Sequence, residues 1–128
     1  MKRRILLTGL IITGLLIVST AMAGVAGDEW TVSMWDSDGE LLTDTWCINM
    51  ANATIGKVDS DSYGEGGVTC RTNFFGKKRI LLNFPDDYTI FSGIFITNHG
   101  GSEVIYGMFV NYITGYHGTF VAVPGTPA

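Results

Sequence analysis

The sequence predicts an all-β fold: a single small antiparallel β-barrel, or a closely related sandwich, of about seven to eight strands preceded by a signal peptide. Three observations lead there. Runs rich in β-branched and aromatic residues recur every ten to twelve residues or so, turn-forming residues separate them, and no stretch after residue 24 keeps a helical period. The last third is the clearest. Three of its segments carry glycine, one residue, then phenylalanine: Gly93-Ile94-Phe95, Gly107-Met108-Phe109 and Gly118-Thr119-Phe120. A glycine inside a strand costs stability, so its recurrence points to bends or close backbone approach, as in a sheet curling into a barrel.

Taken in order, Met1-Lys2-Arg3-Arg4 is basic, Ile5 to Val18 is apolar, and Ala21-Met22-Ala23 is a small-x-small cleavage site. Together they predict a secretory signal peptide over 1–23. The apolar run falls short of the roughly 20 residues a membrane helix needs, and an uncleaved N-terminal anchor is the competing reading. The domain would then be 24–128, secreted or otherwise extracytoplasmic, without stable membrane insertion after cleavage.

Trp30, Val32 and Met34 alternate with Thr31, Ser33 and Trp35, which marks a first strand with one buried face. Asp38-Gly39 is a hairpin signal. Its partner strand places Leu42, Asp44, Trp46, Ile48 and Met50 on one face and Leu41, Thr43, Thr45, Cys47 and Asn49 on the other. Asn52 to Gly67 offers only Ile55, Val58 and Tyr63 for burial. Val68 to Phe75 reads as a strand with Val68, Cys70, Thr72 and Phe74 on one face. Lys77-Lys78-Arg79 reads as the solvated tip of a turn after Gly76. Ile80 to Phe84 is a strand stopped at Pro85. Three closing strands follow within Tyr88 to Val123, turning at Asn98-His99-Gly100-Gly101 and Thr114-Gly115-Tyr116, before a disordered tail at 124–128.

An exported chain with two cysteines is expected to pair them as Cys47–Cys70, with two thiols or a partial metal site as the rivals. That bridge constrains the topology. If residues 54–58 formed a strand of an up-and-down barrel, the cysteine strands would lie about 9.5 Å apart, beyond the roughly 7 Å that bridged Cα atoms tolerate. Either 54–58 is a loop and the cysteine strands are adjacent, or 54–58 is a short strand and the bridge sits at the barrel rim; the sequence favours the first.

Without residues 1–23, five basic residues stand against twelve acidic ones, a formal charge of −7. Such a chain is no candidate for nucleic acid, whose phosphates require an extended positive surface.

Tyr106-Gly107-Met108-Phe109, Gly115-Tyr116-His117-Gly118-Thr119-Phe120-Val121-Ala122-Val123 and the opening Gly27-Asp28-Glu29-Trp30 resemble strands of calycin-type barrels, the lipocalin and avidin relatives. The likeness covers about a third of the domain. The opening glycine lies three residues before the tryptophan rather than two, and the families' other signature segments are missing. The resemblance implies a barrel fold and a small-molecule cavity at one open end.

The candidate chemistry is thin. Asp59, Asp61 and Glu65 resemble part of an oxygen-rich calcium loop, yet Tyr63 and Cys70 occupy positions where ligands belong, and acidic turns without metal are commoner. His99 and His117 lie at turns, and no nucleophile pattern surrounds Ser92 or Ser102. Asp86, Asp87 and Glu103 are carboxylates with nothing to set their separation. Asn52-Ala53-Thr54 fits a glycosylation acceptor. No cofactor is expected. The closing strands are apolar on both faces, and the second face must meet another layer, a ligand or another subunit. The expected function is a non-enzymatic binding protein for an apolar small molecule or a protein partner, lined by Trp30, Trp35, Trp46, Tyr106 and Phe109. A structural protein assembling into homo-oligomers through those two-sided strands is the alternative.

Overall fold

The computed structural model describes residues 28–97 and 99–125; the signal-peptide reading over 1–23 and Asn98 of the hairpin turn lie outside them. Eight antiparallel strands run in order around a closed barrel: β1 Asp28–Asp36, β2 Leu41–Met50, β3 Ile55–Ser60, β4 Gly64–Thr72, β5 Lys78–Phe84, β6 Thr89–Thr97, β7 Glu103–Asn111 and β8 His117–Pro124, with β1 pairing β8. A single turn of 3-10 helix, Pro85–Asp87, links β5 to β6. The barrel reading holds, and the sandwich is excluded because every strand is paired on both edges. Closure removes free sheet edges.

Eight strands enclose a lumen that side chains can fill or that can hold one small ligand, and here aromatic rings fill its middle. Trp46 lies 5.0 Å from Phe91, 5.7 Å from Phe120 and 6.3 Å from Phe84, between ring centroids. Phe109 stacks on Phe91 at 5.4 Å. Trp30, paired across strands with Trp46, is wholly buried beside Phe95. The three Gly-x-Phe segments place both glycine and phenylalanine on this inner face. A Cβ on Gly93 would stand 3.0 Å from the Phe120 ring, so the glycines clear the volume that the rings occupy.

Residues 55–60 are a strand, contrary to the favoured loop, and this separates the cysteine strands. Cys47 pairs with Asp59 on the outward parity of β2, while Cys70 is buried in the lumen. The expected Cys47–Cys70 disulfide is therefore not formed, since the two side chains leave opposite faces of non-adjacent strands. Within the lumen, burial pushes the Cys70 thiol pKa up.

β4 ends at Thr72, so Phe74 and Phe75 belong to a turn rather than to a buried strand face. Of the disordered tail expected at 124–128, Pro124 and Gly125 are held in the fold, and 126–128 lie outside the described residues. Pro124 pairs with Trp30, the Gly125 N–H donates to the Glu29 carbonyl at 2.7 Å, and the Thr31 hydroxyl donates to the Gly125 carbonyl at 2.8 Å.

Candidate functional site

The strand period of two sends every residue between the inner glycines and rings to the outside. On β6 these are Ile90, Ser92, Ile94 and Ile96; on β7, Val104, Tyr106, Met108 and Val110; on β8, His117, Thr119, Val121 and Val123. None is an aspartate, glutamate, lysine or arginine. Register locks them side by side: Ile94 faces Tyr106, which faces Val121, while Ser92, Met108 and Thr119 form the adjoining row. Trp35 continues that second row on β1, and Leu41 continues it on β2. Met108 is 65% exposed, Leu41 55% and Tyr106 49%. The second face of the closing strands is thus a largely apolar open wall, and no second sheet among the described residues covers it.

The far side of the barrel is polar. Lys57 and Asp59 on β3 and Glu65 on β4 point outward around a shallow groove of about 440 Å³, which also meets Asp86. Asp59 and Glu65 stand opposite each other. Among the described residues no three histidine, cysteine, aspartate or glutamate side chains gather as metal ligands, so the calcium alternative at Asp59, Asp61 and Glu65 is not assembled.

The five residues expected to line a site divide by parity. Trp30, Trp46 and Phe109 point into the lumen and are buried, whereas Trp35 and Tyr106 lie on the outer wall. The structure brings each subset together and separates the two. The histidines are likewise apart: His99 is in the β6–β7 turn at the end where β1 enters, and His117 begins β8 at the opposite end. Asp86 and Asp87 are similarly remote from Glu103.

Both ends of the lumen are shut. At the entry end Lys78 lies 4.4 Å above the Phe95 ring and 3.7 Å from Glu103. At the far end Tyr63 leans on Phe84 and Phe91, and beside it the buried Asp44 carboxylate accepts from the Trp46 indole N–H at 2.9 Å, the Ser60 hydroxyl at 2.5 Å and the Ser62 N–H at 3.0 Å. This cap was missed in the sequence because an aspartate among apolar neighbours reads as a strand reaching the rim. The one signal was its inward parity with Trp46.

Burial raises the Asp44 carboxyl above its ordinary 3.8, and the hydrogen bonds it accepts offset this only in part. The folded state therefore holds the Asp44 proton more tightly than the unfolded chain does. Its contribution is largest below about pH 4 and is lost as pH rises through the elevated folded value. Asp36 has the opposite sign. The Tyr116 hydroxyl, donating at 2.8 Å, is the main cause that lowers its carboxyl, so its contribution is present above 3.8 and is lost below. The same bond pushes the Tyr116 phenol up to about 12. Asp44→Asn is expected to remove the fall in stability that Asp44 imposes as pH rises above its ordinary 3.8, as melting temperatures measured across a rising pH series would report.

No protein-family model, curated protein or solved structure matches this chain.

Proposed function

We propose that the chain is a non-enzymatic binding and assembly protein whose working surface is the outside of β6, β7 and β8. The observation that carries this reading is the uncharged wall, with Tyr106 and Met108 half exposed or more at its centre. Soluble proteins seldom leave such a face uncovered. The occupant that fits is a second copy of the chain, because the wall is largely apolar, carries no aspartate, glutamate, lysine or arginine, and asks for no charged complement. Aromatic and methionine side chains are the types enriched at interface centres.

A second reading, an apolar small molecule in the lumen, follows the calycin-like resemblance. One observation favours it: the Trp30 indole N–H is fully buried and has no hydrogen-bond acceptor among the described residues. Such a donor suits a single carbonyl or ether oxygen on an otherwise apolar ligand.

Native mass spectrometry of the protein from its own host separates the readings. A dimer or larger assembly that falls to monomer in Tyr106→Glu/Met108→Glu, with an unchanged melting temperature, is the expected result. A monomer carrying a small molecule would favour the luminal reading, and a bare monomer at micromolar concentration would defeat both.

A further inference from the structure

We propose that the β4–β5 hairpin tip docks the barrel onto an anionic lipid surface. Phe74 and Phe75 are 95% and 85% exposed, more than any other large apolar side chain described. They are not loosely held. The Asn73 side-chain oxygen accepts from the N–H groups of Phe75 and Lys77, both at 2.9 Å. The Gly76 N–H closes on the Asn73 carbonyl at 3.0 Å, with Gly76 at a φ of 81°. The rings pack edge to face at 5.3 Å, so the turn presents them as a ready-made apolar wedge.

Cations surround the wedge. Arg71 and Arg79 are direct cross-strand partners below it, and Thr72 pairs with Lys78. Lys77 stands in the turn itself. Like charges placed opposite one another in a sheet disfavour the pairing, and the only ion pair among the described residues is Lys78–Glu103, which leaves Arg71, Lys77 and Arg79 without acidic partners. Most carboxylates lie elsewhere: Asp36, Asp38, Glu40, Asp44, Asp61, Asp86 and Asp87 cluster at the far end of the barrel, while Glu29 and the Lys78-paired Glu103 share the tip's end. An acidic body with one basic, aromatic tip meets a flat anionic surface end-on, with most of its repulsive groups held away. A nucleic acid fits less well. The edge-to-face rings offer no pair of parallel stacking faces, and an extended polyanion would run along the acidic body. Interfacial phenylalanine with neighbouring lysine and arginine is the chemistry of peripheral membrane attachment.

The test is co-sedimentation of the chain from Gly24 onward, which contains the whole closed barrel, with phosphatidylcholine vesicles that hold either no anionic lipid or about one-third phosphatidylglycerol. Binding to the anionic vesicles alone is expected. Each basic residue near such a surface is worth roughly fivefold, so Arg71→Gln/Arg79→Gln should weaken binding about twentyfold or more. Phe74→Ser/Phe75→Ser should weaken it at least about tenfold through lost apolar burial. Tyr106→Glu/Met108→Glu, on the wall, should bind vesicles as the parent does. That variant keeps this proposal separable from the assembly reading. Equal binding to both vesicles, no binding to either, or parental binding by the serine variant would overturn the proposal. So would a tip variant that alters self-association instead.

Discussion

Trp46→Ala is expected to destabilise the barrel by about 3–5 kcal/mol, the range for truncating a buried tryptophan. The residue lies at the centre of the lumen, wholly buried, with three phenylalanine rings against it and Trp30 paired across the strands. Collapse around the gap is restricted, because a closed barrel cannot bring its walls together without changing strand register. The lost indole also leaves the buried Asp44 carboxylate with one donor fewer, adding to the cost of a charge already penalised by burial. A domain of this size has a total stability of about 5–15 kcal/mol. Urea unfolding followed by the fluorescence of Trp30 and Trp35 should show either a large fall in midpoint or no folded baseline. A midpoint within about 1 kcal/mol of the parent would mean that the lumen is not the packed core described here.

The same packing explains what could be read from the sequence. The alternation of Trp30, Val32 and Met34, the Asp-Gly turn and the three Gly-x-Phe segments report directly on strands whose inner faces carry large side chains. β3 left no such trace. Its inward residues are Gly56, Val58 and Ser60, and the first is small because β2 already fills the space beside it: a Cβ on Gly56 would press on the Met50 sulfur. Gly66 on β4 is a case in point, since a Cβ there would come within 2.8 Å of the Phe84 ring. A strand that closes a barrel by making room shows little hydrophobic period, and so 54–58 read as loop.

The cysteines were legible by parity. Cys47 alternates with Thr45 and Asn49 and Cys70 with Val68, which sets them on opposite faces once a strand intervenes. The argument from an exported compartment outweighed that signal. The wall was legible as well, in the two apolar faces of β7. What covers it was not, because exposure depends on whether a second sheet exists, and the described residues form the one closed barrel alone. At the tip, Asn73 and Gly76 already spelled a turn, but the apolar pair between them suggested a longer strand.

Gly107→Ala is the substitution expected to cost most per atom added. Gly107 pairs directly with Gly93, and a Cβ would press on the Ser92 carbonyl and the Gly93 Cα, which are backbone atoms with no side-chain freedom to yield. Relief requires β6 and β7 to separate, and the destabilisation should approach the upper end of overpacking, about 3 kcal/mol. Gly67→Ala is the matched control. Nothing lies within 4 Å of its Cβ, so it should leave stability unchanged or raise it by about 0.5 kcal/mol. The consequence reaches the outer surface, because Ser92, Tyr106 and Met108 are immediate neighbours of the glycine pair, and their alignment across the wall depends on how closely the two strands approach. Gly107→Ala should therefore lower the melting temperature and disperse the assembly together, whereas Tyr106→Glu/Met108→Glu should disperse it with melting intact. Loss of assembly in Gly107→Ala without loss of stability would place the glycine pair in the interface itself rather than in the curvature behind it.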